Sequence, residues 1–256
     1  MHVHDTNHKQ LRSGERAVAA LRVALRSLRD RYADIAGRGP RADFPFRDFY
    51  EDADRNVHAF TYDRDIDKKR IFRALENGAP LCVKFTTRYS AQAHQFAQAA
   101  GFAPALRAVN MFYDWIMVVM EDKAAEYSNT MWDMKHGIEA EKETGKRKGM
   151  GQVPIHAKPA VSLEEAQAQV RAKLELLHQG GFVHGDVRDV NVLVRNEGAP
   201  AGSPDILIVD WDWAGRAGEV VYPRNINTQL ARPAEALAAE VIKAEHDVWM
   251  ADRLLD

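Results

Sequence analysis

The stretch Phe182-Val-His-Gly-Asp-Val-Arg-Asp-Val-Asn191, followed at once by the apolar run Val192-Leu-Val194, decides how this 256-residue chain is read. Asp186, Arg188 and Asn191 stand at intervals of two and three on a short loop that joins a helix to a strand. A second apolar run, Ile206-Leu-Ile-Val209, leads into Asp210-Trp-Asp-Trp213 and closes at Gly215. A continuous apolar run is what a strand covered on both faces looks like in sequence. Two such strands therefore bring carboxylates, an amide and a guanidinium to the place where they end.

That set of groups matches the needs of an in-line phosphoryl transfer. Such a reaction wants a carboxylate to orient the acceptor hydroxyl, a cation on the moving group and hard oxygen ligands for magnesium. Asp186 can orient the hydroxyl, and Arg188 can neutralise the transferring phosphoryl. Asn191 and Asp210 can supply the oxygens that Mg²⁺ prefers. Asp212 reads either as a second metal ligand or as an exposed acid. Lys84, on a β-like run from Pro80 to Phe85, can hold the α- and β-phosphates of ATP. Taken singly these residues have plainer readings: Lys84 as a surface lysine, Asn191 as a turn cap, Asp186 as an Asx-turn. His184 reads as structural, and Trp211 and Trp213 as core.

Working outward, Ser162-Leu-Glu-Glu165 is a capping box, with the Ser hydroxyl and the Glu165 carboxylate serving each other's orphan amides. Leu163, Ala166, Val170, Leu174 and Leu177 give the buried face of the helix it starts, and Gly180-Gly181 stops it. Farther upstream, β-like runs at Lys69–Leu75 and Pro80–Phe85 flank Glu76-Asn77-Gly78, a hairpin signal. Ser90–Ala100 reads as a short helix ending at Gly101, and Leu106–Val109 and Trp115–Met120 as two more strands. Residues 41–68 mix aromatics with acids in no sustained period, and loop with one short strand is expected there. The polar segment from Glu121 to Pro159 reads as a loop or insertion. Its Gly145–Gly151 glycines lack the Gly-Lys-Ser/Thr order of a phosphate loop. Pro233–Leu255 reads as helix beneath the catalytic loop, with His246-Asp247 in a structural role.

At the other end, Val18, Leu21, Leu25, Leu28, Tyr32 and Ile35 recur at spacings of 3, 4, 3, 4 and 3, one face of a helix from Lys9 to Ala36. Gly37 and Gly39-Pro40 stop it. Residues 1–9, with His2, His4 and His8, read as a frayed start. Arg12, Arg16, Arg22, Arg26 and Arg29 lie off the apolar face, so a buried stripe with a solvated basic back is expected.

Composition excludes several classes. With 46% hydrophobic and 28% charged residues the chain resembles ordinary globular proteins. A net charge of −2 argues against a nucleic-acid partner, since phosphate neutralisation leaves a basic excess. The single cysteine, Cys82, rules out an intramolecular disulfide or a cysteine-based zinc site. No run approaches the length of apolar residues that spans a bilayer, and the start has no apolar leader. A cytoplasmic protein without a membrane partner is the expectation.

These residues resemble the protein-kinase-like superfamily, including the aminoglycoside and choline phosphotransferases and a group of fungal protein-kinase-like proteins. His184-Gly-Asp186 is similar to the family's catalytic loop, and Asn191 to its metal-binding Asn. Asp210-Trp-Asp212 is similar to its Asp-Phe-Gly or Asp-x-Asp metal motif, and Val83-Lys84 to the lysine of its third strand. The likeness spans Lys69 to Gly215, and for the fungal group it continues more weakly through Arg224-Asn225 and Arg232-Pro233 to His246-Asp247. It implies an α+β, two-lobed protein-kinase-like fold, with a small antiparallel N-lobe sheet and a short, mainly helical C-lobe. The expected divisions are residues 1–40 (tail and amphipathic helix), 41–120 (N-lobe) and 121–256 (C-lobe). ATP and Mg²⁺ are the implied cofactors, and Met120, Glu121 and Asp122 the hinge facing adenine. The implied partner is a hydroxyl-bearing acceptor, protein or small molecule; a nucleotide-binding pseudokinase is the alternative.

Four departures bear on activity. No Gly-x-Gly-x-x-Gly precedes Lys84. The helix after it has no Glu to pair with the lysine, leaving His94 or Gln95 as the nearest groups. Gly185 stands where many protein kinases carry the arginine that reads a phosphorylated loop. Only 46 residues follow Asp210, without Ala-Pro-Glu, which leaves little room for a peptide-docking platform.

Overall fold

Short-range signals in the chain become regular structure wherever apolar side chains find a second layer to cover. The computed structural model describes residues 5–36, 46–66, 70–143 and 157–256. Gly37, Gly39-Pro40 and the glycines from Gly145 to Gly151 lie outside the described residues. The chain divides into two units, residues 1–46 and residues 47–256. Among the described residues it is a mixed α+β protein with antiparallel sheets and five α-helices. None of these helices is long and apolar enough to cross a membrane.

The first unit contains α1 (Asp5–Ala36), which starts earlier than the expected Lys9. Its apolar stripe is not buried as expected: Val18, Leu21, Leu25 and Leu28 are 48–59% exposed.

In the second unit a five-stranded sheet has the order β3 (Thr61–Asp65), β4 (Ile71–Glu76), β5 (Ala79–Thr86), β7 (Trp115–Glu121) and β6 (Leu106–Phe112). The β4–β5 hairpin turns at Asn77 and Gly78, both at positive φ (50° and 85°), the conformation that Asn-Gly supplies at least cost. Alternation along β5 places Leu81, Val83 and Phe85 on one buried face and Cys82, Lys84 and Thr86 on the other. Burial pushes the Cys82 thiol up to about 12, which leaves it protonated and unreactive.

Residues 49–65 hold three strands rather than the single one expected: β1 (Phe49–Glu51), β2 (Val57–Ala59) and β3. Each is too short to show a period. Their aromatics act across strands, in a chain Tyr50–Phe60–Tyr62–Phe72–Phe85–Phe112 with successive ring centroids 5.1–6.4 Å apart. Ring pairs at such spacing add to the area they bury. The Asn110 amide fastens the β1–β2 hairpin to β6, accepting from Glu51 N at 2.8 Å and donating to Glu51 O at 2.9 Å.

The helical part packs α2 (Ala91–Ala99) and α4 (Leu163–Gln179) around a core that includes Phe102, Val170, Leu174, Leu177 and Trp211. The capping box is present, with Ser162 Oγ accepting from Glu165 N and Glu165 Oε2 from Ser162 N. Between Glu121 and Pro159 the expected loop instead contains β8 (Asn129–Thr130) and α3 (Met131–Glu143), started by Asp133 reaching back to Thr130 N. β9 (Phe182–Val183) pairs with β12 (Gly215–Arg216). β10 (Val192–Val194) sits between β11 (Ile206–Ile208) and β8. Only α5 (Ala244–Ala251) is helical in the tail expected to be helix throughout; Pro233 and its neighbours run in turns.

The β1–β2 hairpin also carries an acid-bracketed histidine. His58 contacts Asp52 Oδ2 at 2.9 Å and Glu76 Oε1 at 2.8 Å. These bonds, Asp52 first, raise the His58 pKa above its usual 6.5, while His58 holds Asp52 down at about 2. The His58 contribution is complete below 6.5 and fades as pH climbs through the raised value. The Asp52 contribution is complete above 3.8 and fades as pH falls through about 2. Histidine-detected NMR titration should place His58 above 6.5 in the wild type and closer to it in Asp52→Asn. Amide exchange in β1–β2 should quicken as the His58 proton is lost.

Candidate functional site

β5 presents Lys84 from the middle of the sheet, where β4 and β7 flank it at Ile71 and Val118. Its ammonium is buried and donates to Asp210 Oδ1 at 2.6 Å. It also forms an ion pair with Asp212 Oδ1 at 2.7 Å. Thr86, one step along the same face, donates from Oγ1 to Asp212 Oδ2 at 3.0 Å. The structure thus joins Lys84, Asp210 and Asp212 across 126 residues of chain, and Asp212 is neither an exposed acid nor remote from the lysine.

The electrostatics of the triad follow from its desolvation. Burial alone would lower the Lys84 pKa, yet the two carboxylates outweigh it and the pKa is raised. Burial would raise Asp210, but Lys84, with smaller help from His184 and Arg188, holds it below the usual range. Asp212 takes the opposite course: burial, with the neighbouring Asp210 charge, pushes it up to about 6 despite the lysine. Asp210 is also a non-glycine residue in the left-handed region, at φ 71°. That conformation costs about 1–2 kcal/mol and persists where the surroundings fix it, as functional sites commonly do.

His94 does not take the expected place beside Lys84. Its ring is wholly buried, with Nε2 against Pro104 O at 2.8 Å and Nδ1 against the Tyr89 hydroxyl at 2.5 Å. It stacks on Trp211, and burial lowers its pKa to about 4, so it serves as neutral core. Gln95 is exposed. The partner of the lysine comes instead from Asp212.

The stretch from Phe182 to Asn191 is built around Asp186. Its Oδ1 accepts from Arg188 Nε at 2.9 Å and Arg232 Nη2 at 2.8 Å. Its Oδ2 accepts from Arg188 Nη2 at 2.6 Å and Asn191 Nδ2 at 3.1 Å. Asn191 Nδ2 also donates to the Asp186 carbonyl at 2.9 Å, fixing the amide by its nitrogen end. Its backbone oxygen accepts from Val209 N at 3.0 Å, which ties the Asn191 turn to the residue before Asp210. The β10–β11 ladder, Val192 opposite Ile208, brings these two strand ends together.

A buried carboxylate from α5 shapes the loop from behind. Asp247, fully buried, accepts from His184 N and Gly185 N, both at 2.7 Å, and contacts His178 Nε2 at 3.1 Å. This gives His246-Asp247 the structural role read from the sequence. His184 Nδ1 accepts from Asp186 N at 3.2 Å, which leaves Nε2 to donate to Val209 O at 3.2 Å. Gly185 turns at φ +80°, and a Cβ there would lie 2.7 Å from Ile242 Cδ1. Both the turn and the close packing require glycine at this position.

No protein-family model matches this chain, and no curated protein matches it. The site must therefore be weighed on its own geometry.

The three hinge residues are placed at the end of β7 with much of their bonding capacity used. Met120 pairs with Cys82 and Leu106 in the ladders. Glu121 N donates to Ala105 O, and Asp122 N points at Pro80 O at 3.4 Å. The Glu121 side chain pairs with Arg107 and Lys123, and Asp122 with Arg73. The Glu121 and Asp122 amides are thus turned to neighbouring backbone at the edge of the sheet.

Arg232 is the site residue whose role the sequence did not reveal. It is 6% exposed, lies over the Trp213 ring at 4.7 Å and reaches Asp186 from 46 residues away. Arg232-Pro233 belonged to the weak tail likeness, the one signal pointing to it.

Asp247→Ala leaves two buried loop amides without an acceptor, and urea denaturation should show a loss of about 3 kcal/mol or more. Gly185→Ala should cost about 1–2 kcal/mol for the left-handed turn alone. Hydrogen exchange at Gly185 should quicken in Asp247→Ala, and unchanged protection would refute the bond.

Proposed function

We propose that the chain is an ATP-dependent phosphotransferase with a two-lobed protein-kinase-like fold, passing the γ-phosphoryl of ATP to a hydroxyl acceptor. The observation that carries this reading is the pairing of the buried Lys84 ammonium with Asp210 and Asp212, which stands beside the Asp186–Asn191 pair across the Val209–Asn191 bond. A cation for phosphate and oxygens for a metal thus stand next to a carboxylate for the acceptor.

The donor set fits magnesium. Asp210 is a third exposed and has an oxygen that Lys84 does not use, and Asn191 Oδ1 is the hard ligand atom left by the amide bonds. Two protein oxygens, the rest coming from phosphate and water, is the habit of this ion. Among the described residues no group of three or more His, Cys, Asp or Glu forms a metal site by itself. Asn191 and Asp210, with Asp212 in reserve, would hold magnesium, which would supply charge neutralisation to the phosphates.

The chain's own groups divide the remaining work. Lys84 exchanges its carboxylate partners for the α- and β-phosphates. Asp186 can receive an acceptor hydroxyl only if one of its present donors withdraws. Arg188 is 32% exposed and Arg232 only 6%, so Arg188 is the guanidinium free to swing onto the transferring phosphoryl. Arg232 and Asn191 then keep the carboxylate aimed. The His-Gly-Asp loop and the Asp-x-Asp pair favour a small-molecule acceptor, of aminoglycoside or choline type, as the alternative to a protein.

A second reading has its own observation: every Asp186 oxygen already accepts two hydrogen bonds. A nucleotide-binding scaffold that never transfers would look the same. Thermal unfolding with ATP and Mg²⁺ tests binding, because a ligand of the native state raises stability by mass action. Wild type should gain Tm at millimolar nucleotide, and Lys84→Met should lose the gain. Transfer from radiolabelled ATP to a panel of hydroxyl acceptors should fall about 10²–10⁴-fold in Asp186→Asn, with the Tm gain kept. Transfer equal in wild type and Asp186→Asn would end the enzyme reading, and binding without transfer would establish the scaffold. Arg232→Ala should cut transfer about 10–100-fold, the usual toll of an orienting partner, without abolishing nucleotide binding.

A further inference from the structure

The helix α1 remains outside everything derived so far. It runs for 32 residues, about 48 Å at the rise of an α-helix. Helices draw most of their stability from packing an apolar face rather than from propensity. Yet Val18, Leu21, Leu25 and Leu28 are all about half exposed. Their alternating spacing of three and four extends by sequence to Leu11 and Gly14 on one side and to Tyr32 and Ile35 on the other. In heptad terms Leu11, Val18, Leu25 and Tyr32 hold one seam position, and Gly14, Leu21, Leu28 and Ile35 the other. Two apolar positions in seven make the narrow seam of a coiled coil. A helix lying on a bilayer presents a broader apolar face.

We propose that α1 pairs with α1 of a second copy of this chain as an antiparallel coiled coil. The two orientations differ in what they place opposite each seam residue. Antiparallel packing that centres Leu21 on Leu25 of the second copy also sets Val18 against Leu28, Leu11 against Ile35, and Tyr32 against Gly14. The largest seam residue thus falls opposite the one without a side chain. Flanking the seam, Glu15 meets Arg29 of the other copy at both ends. One like-charged pair, Arg22 with its own counterpart, falls on the two-fold axis, where long stems can splay into water. On the other flank Ala24 meets its counterpart, and Ala17 meets Arg31. Parallel packing instead stacks Tyr32 on Tyr32 and leaves a Gly14–Gly14 gap. Its flanks pair Ala17 with Arg22 and Ala24 with Arg29, with no opposite charges. Shape and charge therefore both select the antiparallel arrangement.

The test uses the full chain. Light scattering after size exclusion, at tens of micromolar, should give twice the mass of one chain for the wild type. It should give the single mass for Leu21→Glu/Leu25→Glu, with the Tm of the second unit unchanged. Because the doubly substituted helix can also unravel, orientation is read separately by mild oxidation of single-cysteine additions. Ala24→Cys, beside the two-fold axis, should give a disulfide-linked dimer absent from the wild type. Leu11→Cys, whose counterpart lies at the far end of the partner helix, should not. A monomeric wild type, or a dimer that survives the double substitution, overturns the proposal. Cross-linking of Leu11→Cys overturns the antiparallel arrangement. Solution monomers that bind anionic vesicles, and lose that binding in Leu21→Glu/Leu25→Glu, make α1 a membrane-surface helix instead.

Discussion

A single ammonium buried between two carboxylates sets the terms for the second unit. An unpaired Lys84 beneath the sheet would have to surrender its proton, since desolvating a lone charge costs far more than a fold can bear. Asp210 and Asp212 remove that cost, and in doing so they pin the end of β11 against the middle of β5. Asp212 in turn is kept in place by Thr86, on the same face of β5 as the lysine. Removing the lysine leaves two like charges facing each other, the most damaging kind of change to this grouping.

The two charged groupings at the strand ends differ in how tightly they are held. The lysine triad is bridged by one side chain from another element. The Asp186 grouping is held by two guanidiniums, an amide and, through the loop backbone, the Asp247 carboxylate. Asp212, pushed up toward neutrality by its surroundings, is the softest point of the triad.

How much of this could be seen in the chain depended on the range of the interaction involved. The α4 helix was legible because its capping box and its apolar face lie within a few turns. The β4–β5 hairpin was legible because Asn77-Gly78 forces its own geometry. The Asp186–Asn191 contact was legible by spacing, since five residues of loop bring the two together. Residues 49–65 were not, because three short strands give no period and their aromatics pair with rings on distant strands. The partners of Lys84 are Asp210 and Asp212, far along the chain, and not a group on the helix that follows it. His94 looked available as a polar group and was instead enclosed by Tyr89, Pro104 and Trp211. The stripe of α1 was read correctly as a stripe, but periodicity tells which residues share a face and not what covers it.

The bond from Asp247 to the loop has a temporal consequence during synthesis. Domains tend to fold as their residues emerge from the ribosome, and the sheet with its lysine is complete long before α5 exists. Until the polypeptide extends past residue 247, His184 and Gly185 have no acceptor for their amides, and the turn that aims Asp186 is unsupported. Nascent chains would therefore carry Lys84, Asp210 and Asp212 before the His184–Gly185 turn is supported, and that support arrives only once α5 has been made.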